Sequence, residues 1–177
     1  FNAVKLQLLN KSDKDKKLID FSSKNGADLF KWAQLRIKTI IAFDQEQVNV
    51  EGNKLKDGSN KKYFDMKSHE DPSISKWANS SDVNFIVGDI SKDLFDYDVT
   101  KLSAPKYTQL LKVKLTSNVK NSFNIVSHFH GVEKLFQSRD NVSNFLQNTK
   151  DSLSNGGYLL ITCLDGERVF NLSLIHI

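Results

Sequence analysis

The sequence predicts an α/β fold in which a parallel β-sheet carries helices on both faces. Short runs rich in β-branched and aromatic residues alternate with segments of helical spacing, which is the pattern of repeated strand–helix–strand units. The 177 residues suit one domain with its own hydrophobic core. We therefore expect a single domain over residues 1–177.

Composition limits the classes of protein to consider. Apolar residues make up 39% of the chain, and no apolar run approaches the roughly 20 residues that a membrane helix needs, so we expect a soluble protein without membrane contact. The net charge of +4 suits a polyanionic partner, although the basic excess is small. The single cysteine, Cys163, excludes an intrachain disulfide. The sequence starts with Phe1 rather than with an initiator Met, and its first residues do not form a signal pattern. We therefore expect a fragment of a longer polypeptide.

Three strands and two helices are predicted in the first half of the chain. The strands, at Lys17–Phe21, Thr39–Phe43 and Asp82–Val87, are the apolar, β-branched and aromatic runs that buried parallel strands need. The segment Ala27–Arg36 repeats apolar residues at helical spacing, and Gln45–Lys56 is the next helix.

The second half is predicted to add two strands and one long helix. Ser122–Ser127 is the fourth strand, and Asp140–Leu153 is a helix with apolar residues on one face. Gly156 and Gly157 are expected to end this helix through a left-handed cap, after which Tyr158–Leu164 forms the fifth strand.

Two stretches of the chain lack a clear pattern. Residues 57–81 are rich in Lys, Asn, Ser, Asp and Gly and contain Pro72, so we expect a solvated, peripheral excursion there. Residues 96–121 contain Pro105 and scattered apolar residues that are compatible with a helix packed on the sheet.

Acidic residues follow two of the predicted strands, where open parallel sheets bind ligands. Asp44 lies 18 residues after Gly26, a position from which a carboxylate accepts the ribose hydroxyls of a nucleoside, but it also suits the N-cap of a helix starting at Gln45. Asp89 suits the amino group of an adenine, and it also suits the start of a turn. At this point both alternatives stay open for each residue.

Histidine and tryptophan residues indicate structure rather than chemistry. His128 and His130 alternate at a strand end without nearby metal-ligand spacing, so no metal site is predicted. Trp32 and Trp77 suit base stacking, but the helical spacing of Trp32 favours a place in the core.

One segment carries a family resemblance. Leu18–Trp32 reads LIDFSSKNGADLFKW, and from its second residue onward it resembles without a gap the motif LDLGCGKGGDLLKW of mRNA cap guanine-N7 methyltransferases. The ending Leu164–Phe170 is most similar to the capping enzymes of large DNA viruses. Other segments similar to the family in the same order are Phe1–Lys5, Asn84–Lys92, Phe123–Ser127 and Gly156–Cys163.

The resemblance implies a Rossmann-like class I S-adenosylmethionine-dependent methyltransferase sheet, truncated before its last strands. The implied activity is mRNA capping by methyl transfer to N7 of the guanine cap. The implied cofactor is S-adenosylmethionine, and the implied partners are the capped RNA 5′ end and, beside it, other capping-enzyme domains or a stimulatory subunit.

The resemblance also implies roles for individual residues. Lys5 and Asp28 would hold the amino-acid end of the cofactor, although a solvated lysine and an acid in a first helical turn are the ordinary alternatives. Asp44 would hold the ribose. The remaining implied positions are Asp89 and the Ile90 backbone at the adenine, Asp20, Ser22, Gly26 and Phe129 elsewhere along the cofactor, and Asn2 near the capped RNA end.

The chain departs from the family at several of these positions. Ser22 and Lys24 stand where the family has glycine, so we expect a narrowed or distorted pocket, and Asn25, in the place of a lysine, suits left-handed geometry.

Phe129, Glu133 and Lys134 stand where the family has a glutamine and a His-Tyr pair. Glu133 still suits the N1 and N2 donors of guanine, but Lys134 cannot stack as tyrosine does. Lys24 and Lys31 are candidates for the triphosphate bridge of the cap.

The implied reaction needs positioning rather than a catalytic group, because N7 of guanine carries a lone pair and no proton. A site that aligns the reacting atoms gains its rate from proximity. The alternative hypothesis is a catalytically silent domain that acts as a binding or allosteric module in a capping complex. A nicotinamide dehydrogenase is disfavoured because no Gly-x-Gly-x-x-Gly follows the first strand.

Overall fold

The computed structural model describes residues 2–10, 16–95, 105–114 and 120–163, and it places there a five-stranded parallel sheet. The α/β class and its sheet are therefore confirmed. The strands are β1 (Lys17–Asp20), β2 (Thr39–Asp44), β3 (Asp82–Val87), β4 (Phe123–His128) and β5 (Leu153–Ile161). Their order across the sheet is β3-β2-β1-β4-β5. The helices are α1 (Asn2–Leu9), α2 (Leu29–Gln34), α3 (Gln47–Glu51), α4 (Ser59–Met66), α5 (Pro72–Ser80), α6 (Pro105–Lys114) and α7 (Arg139–Ser152), with a 3-10 helix at Val132–Gln137.

The central strands are apolar on both faces because the sheet lies in the middle of the core. Leu18 of β1 is in register with Ile40 of β2 on one side and with Ile125 of β4 on the other, and all three are fully buried. Burial on both faces explains why β1 and β2 contain uninterrupted apolar runs, at Leu18–Ile19 and Ile40–Phe43, rather than alternating apolar and polar residues. All five predicted strands are found, with ends that differ by a few residues.

The prediction of a solvated excursion at 57–81 is wrong, since the segment forms α4 and α5. The hydroxyl of Tyr63 lies 2.8 Å from the carbonyl oxygens of both Ala78 and Ser81, and the indole N–H of Trp77 donates to the Ile37 carbonyl at 2.7 Å. Polar residues on the outer faces of two short helices hid the few apolar side chains that pack inward.

The prediction of a helix within 96–121 is confirmed for α6. Tyr107 on this helix donates a hydrogen bond of 2.6 Å to Glu51 at the end of α3, and Lys114 forms an ion pair of 2.7 Å with Asp82 at the start of β3. The partly buried Leu110 packs against the core. Residues 96–104 and 115–119 lie outside the described part of the chain.

The sequence predicted that Gly156 and Gly157 cap the long helix, and this prediction is wrong. Helix α7 ends at Ser152, Leu153 is already extended, and both glycines lie within β5. Gly156 has φ +77°, and a Cβ on Gly157 would lie 3.1 Å from the Asn124 carbonyl oxygen. The pairing of β5 with β4 shifts register at this point, so the glycines allow an irregularity within the strand.

Both tryptophans belong to the core, as the helical spacing of Trp32 favoured for that residue. Trp32 and Trp77 are 1% and 5% exposed, and the ring of Trp32 stacks on Phe85 with centroids 6.2 Å apart. Within the described ranges, no helix has the length and apolar character needed to cross a membrane.

Candidate functional site

A cavity of about 550 Å³ opens at the carboxyl edge of the sheet, beside the ends of β1, β2 and β4. This is the edge at which open parallel sheets bind ligands. The predicted site residues that line it are Ser22, Lys24, Asp44, Ile90, Phe129, Glu133 and Lys134.

The loop after β1 is hydrogen-bonded to both neighbouring strands, β2 and β4. The backbone N–H of Phe21 donates to the Ser127 carbonyl of β4 at 2.8 Å, and that of Ser23 donates to the Phe43 carbonyl of β2 at 2.9 Å. The hydroxyl oxygen of Ser22 accepts the backbone N–H groups of Phe129 at 2.8 Å and His130 at 3.2 Å. These bonds fix the floor of the cavity.

Asp44 lies at the end of β2 and faces the cavity. Its Oδ1 atom accepts the backbone N–H of Glu46 at 2.8 Å and the side-chain amide of Asn49 at 3.1 Å. Glu46, not Asp44, is the N-cap residue of α3, so the N-cap interpretation is wrong in detail, although Asp44 does hold the turn that leads into that helix. Among the described residues, no donor occupies its second oxygen, Oδ2, which leaves one carboxylate oxygen for a ligand hydroxyl.

Asp89 makes the turn after β3. Its Oδ1 atom accepts the backbone N–H of Ser91 at 2.9 Å and the side-chain amide of Gln45 at 2.8 Å. The turn interpretation is therefore confirmed. Gln45 and Ile90 line the cavity and Asp89 does not, so a role for Asp89 at a bound base would depend on these two neighbours.

Lys5, Asp28 and Lys31 form a buried ion cluster beside the cavity rather than on its wall. The Asp28 carboxylate lies 3.0 Å from Lys5 Nζ and 2.7 Å from Lys31 Nζ. Burial alone would raise the pKa of Asp28, but hydrogen bonds from Lys31 and Lys5 hold it below its ordinary value. At 2% exposure, Lys5 is not the solvated helix residue that the ordinary alternative expected.

Lys5 reaches the cavity only through its neighbours. Its Nζ lies 3.0 Å from Nε2 of His130 and 4.8 Å from the ring centre of Phe129, and both residues line the cavity. Burial, followed by the positive charges of Lys5 and Lys24, lowers the pKa of His130 to about 4. His130 is therefore neutral at physiological pH and accepts a hydrogen bond from Lys5.

Asp20 and Gly26, both predicted at the cofactor, do not line the cavity. Asp20 is buried in β1, where its Oδ1 accepts the hydroxyl of Ser127 at 2.7 Å and its Oδ2 has no partner among the described residues. Burial raises the pKa of Asp20 to about 7. Gly26 packs against Leu29. Asn2 belongs to α1, and its side chain lies outside the described part of the structure.

The expectation of left-handed geometry at Asn25 is wrong. The residues of this loop with positive φ are Lys24, at +48°, and Gly26, at +72°. The backbone thus retains the geometry for which the family uses glycine at the position of Lys24, whereas Ser22 has no positive φ and tolerates a side chain.

His128 and His130 make different contacts, since His128 packs against an aromatic ring whereas His130 contacts the ammonium of Lys5. The ring of His128 packs against Phe145 with centroids 5.5 Å apart, and burial lowers the pKa of His128. Within the described ranges, no group of three His, Cys, Asp or Glu side chains is placed to hold a metal ion.

Several cavity residues were missed by sequence reasoning. Gln45, Glu46 and Asn49 line the cavity because the turn after Asp44 leads into α3, which begins at Gln47. Their position after a strand end was the only available signal. Thr162 and Cys163 line it from the end of β5, where the Thr162 hydroxyl donates to the Phe129 carbonyl at 2.6 Å. Polar side chains just beyond an apolar strand are too common to be selected by that signal.

Charge is ordered along the cavity by the order of the strands. The β2 end contributes the carboxylates of Asp44 and Glu46, whereas the β1 loop contributes the ammonium of Lys24. The segment after β4 contributes the oppositely charged Glu133 and Lys134, and the neutral His130 with Lys5 behind it. Two strand spacings of about 4.8 Å each separate β2 from β4. The cavity therefore suits a ligand of nucleoside size with hydroxyls at one end and an anionic group at the other.

The comparisons with known proteins agree with this layout. The chain matches the family model described as the mRNA (guanine-N(7))-methyltransferase domain over residues 1–174. No curated protein matches the chain.

Two solved structures are similar to the chain at low identity. One is a protein from Pyrococcus horikoshii OT3, with a TM-score of 0.57 and 14% identity over 98% of this chain and 58% of that one. The other, from Streptococcus mutans, is named as a candidate methyltransferase in complex with SAH, with a TM-score of 0.55 and 15% identity over 98% of this chain and 80% of that one. The chain thus spans 58% of the length of the Pyrococcus protein, and these identities establish the fold alone.

Proposed function

Because the chain belongs to the mRNA (guanine-N(7))-methyltransferase family, we propose that it transfers a methyl group from S-adenosylmethionine to N7 of the guanine cap of mRNA. The observation that carries this proposal is the uncommitted Oδ2 oxygen of Asp44 in a cavity at the carboxyl edge of the sheet. A carboxylate with one oxygen fixed by its own turn and the other turned to a ligand is a preorganised acceptor for ribose hydroxyls.

The residues present fit the proposed cofactor. Asp44 accepts the ribose and Ile90 contributes an apolar contact for the adenine. The carboxylate of the amino-acid end lies at the side of the cavity where Lys24 contributes a positive charge and where Lys5 lies behind the neutral His130. Lys5 and Asp28 act at one remove, through His130 and Phe129, rather than by lining the cavity.

Bound S-adenosylmethionine supplies an electrophilic methyl group on a sulfonium centre. The chain supplies position: the acceptor nitrogen of guanine has a lone pair and no proton to remove, so no side chain needs to act as a base. Glu133 lines the cavity, and its carboxylate is the proposed acceptor for the N1 and N2 hydrogens of guanine. Alignment of two bound reactants provides much of the rate in such a reaction.

The RNA end and its partners are part of the same proposal. Lys24 and Lys134 line the cavity and suit the triphosphate bridge, while the ammonium of Lys31 is already paired with Asp28. The proposed partners are the capped RNA 5′ end and, beside it, other capping-enzyme domains or a stimulatory subunit.

A second candidate function is a catalytically silent domain within a capping complex. It is favoured by Lys24, which keeps a left-handed backbone without being glycine, and by Lys134, which cannot stack on a base as tyrosine does. Such a domain would bind neither S-adenosylhomocysteine nor S-adenosylmethionine.

Isothermal titration with S-adenosylhomocysteine separates the two functions. The wild-type chain is expected to bind, and Asp44→Ala is expected to lose about tenfold or more in affinity, because a charge-assisted hydrogen bond contributes about 1.5–3 kcal/mol. Asp65→Ala, on the exposed face of α4, is the matched control and should bind as the wild type does. Equal affinity of wild type and Asp44→Ala would remove the ribose role.

Methylation of RNA ending in GpppN then tests the acceptor. Transfer to N7 by the wild type, weakened in Glu133→Ala, supports the proposed activity. Binding of S-adenosylhomocysteine without transfer to capped RNA would contradict the proposed acceptor, and no binding at all would favour the silent domain.

A further inference from the structure

We propose that Ser22 is a positioning residue that holds the loop after β4 in place through hydrogen bonds, an arrangement called here the clamp. We further propose that its hydroxyl group donates a hydrogen bond to the carboxylate of the bound ligand. This inference rests on the proposed function for the identity of the ligand. It gives a role to a serine that stands where the family resemblance expects glycine.

The clamp follows from the bonds of the hydroxyl oxygen. Ser22 Oγ accepts the backbone N–H groups of Phe129 at 2.8 Å and His130 at 3.2 Å, so one side chain from the β1 loop satisfies two consecutive amides at the end of β4. Phe129 and His130 both line the cavity. A glycine at position 22 would leave these amides without that acceptor, and the wall they form would lose its link to the neighbouring strand.

The hydrogen bond to the ligand is inferred from the hydroxyl hydrogen of Ser22, for which the described residues offer no acceptor. A serine hydroxyl accepts two hydrogen bonds and donates one. Both acceptor positions of Ser22 are occupied, and among the described residues no oxygen or nitrogen accepts its proton. Ser22 lines the cavity while being 8% exposed, so a ligand in that cavity is the available acceptor.

Charge indicates which part of the ligand accepts. Lys24 lines the cavity two residues along the same loop, and Lys5 lies 3.0 Å from His130, the second residue of the clamp. Asp28, the carboxylate beside Lys5, is shared by Lys5 and Lys31. An anionic oxygen is favoured at this end, and the carboxylate of the amino-acid portion is the anionic group of the proposed ligand.

The local backbone explains why a serine is tolerated at this position. Ser22 has no positive φ, whereas Lys24 and Gly26 of the same loop do. A side chain at position 22 therefore adds a hydroxyl without backbone strain, and the loss of glycine there need not abolish binding.

Hydrogen exchange of the ligand-free chain tests the clamp independently of any activity. In Ser22→Ala, the amides of Phe129 and His130 are expected to exchange about fivefold faster than in the wild type, because the loss of one hydrogen bond of about 1 kcal/mol raises the local opening equilibrium by about that factor. Ser22→Thr is expected to restore the protection. Ser23→Ala is the matched control, since Ser23 is buried in the same loop but does not line the cavity. Unchanged exchange in Ser22→Ala overturns the clamp.

Two ligands test the hydrogen bond that the Ser22 hydroxyl donates to the ligand carboxylate. S-adenosylhomocysteine carries the carboxylate, whereas 5′-methylthioadenosine has the same nucleoside and thioether without the amino-acid end. Ser22→Ala is expected to weaken S-adenosylhomocysteine about tenfold and to leave 5′-methylthioadenosine unchanged, with rescue by Ser22→Thr.

Equal losses for both ligands, or none, overturn the carboxylate contact. If the wild type binds neither ligand, the proposed function and the carboxylate contact fail together, and the exchange result still decides the clamp. If the wild type binds both and only the serine variants behave unexpectedly, the inference fails and the proposed function stands.

Discussion

The ammonium of Lys5 lies 3.0 Å from Oδ2 of Asp28, and this buried ion pair joins the first helix to the start of α2. The same ammonium lies 3.0 Å from Nε2 of His130, at the end of β4. One lysine thus connects the amino-terminal helix, the β1 loop and the cavity wall. A change at Lys5 should therefore be detectable at the cavity.

Replacing Lys5 with Met is expected to raise the pKa of His130 from its present value of about 4. Burial lowers this pKa most, and the nearby positive charge of Lys5 lowers it further, so removal of the ammonium makes protonation of the imidazole easier. The variant should also lose up to about 3 kcal/mol of stability, since Asp28 stays buried with Lys31 as its remaining partner. An NMR titration of the His130 ring checks the pKa.

Lys31→Met is the matched control for this change. It removes the other ammonium that pairs with Asp28 but leaves the contact between Lys5 and His130 in place. The pKa of His130 should stay far below its ordinary value in this control. A Lys5→Met protein in which His130 titrates as in the wild type would contradict the connection.

The Asp20→Asn variant is expected to gain stability relative to the wild type as the pH rises, as measured by the difference between their free energies of unfolding. Burial raises the pKa of Asp20 from 3.8 to about 7, so the wild type gains stability from the protonated form below about pH 4 and loses it as the pH rises through 7. The asparagine keeps an oxygen to accept the Ser127 hydroxyl and has no charge to bury. The difference between pH 4 and pH 8 is on the order of 4 kcal/mol at most.

Urea unfolding of both proteins at several pH values between 4 and 8 measures this difference. The unfolding free energies should diverge through the window from about pH 4 to 7 and run parallel above it. Parallel profiles across the whole range would show that Asp20 is ionised in the folded protein.

The sheet could be predicted from the sequence because its strands are buried on both faces. The runs around Leu18 and Ile40 are apolar without alternation, which is typical of strands buried on both faces. Helices α4 and α5 were missed because their inward residues are few. Tyr63 and Trp77 secure them through hydrogen bonds to carbonyl groups far along the chain, which no local pattern contains.

The candidate site was predicted where a residue follows a strand directly, as for Asp44 and Ile90. Position along the chain does not determine which side chains are consumed by their neighbours. Asp28 was expected at the cofactor, but two lysines pair with it. His130, for which the sequence indicated a structural role only, lines the cavity instead. Such pairings depend on the packing of α1 against the sheet.

Lys24→Gly is expected to stabilise the protein by about 0.5–1 kcal/mol. Lys24 has φ +48°, a left-handed conformation that costs a residue with a side chain roughly 1–2 kcal/mol, and glycine adopts it without strain at some cost in unfolded-state entropy. Asn25→Gly is the control one residue along, where φ is not positive and the same substitution should destabilise. Thermal or urea unfolding compares the two, and stabilisation of both or of neither would contradict the strain at Lys24.

Gly26→Ala is expected to destabilise the protein by about 2 kcal/mol or more, through two effects that a second glycine separates. Gly26 has φ +72°, and a Cβ there would lie 2.6 Å from Cδ1 of Leu29, a side chain at the start of α2 that is fully packed. Gly156 has φ +77° but no atom within 4 Å of the added Cβ, so Gly156→Ala incurs only the conformational cost of about 1 kcal/mol. The difference between their unfolding free energies measures the steric contact with Leu29. Equal losses would mean that α2 moves to admit the methyl group, and the β1 loop would then be less rigid than its hydrogen bonds to β2 and β4 require.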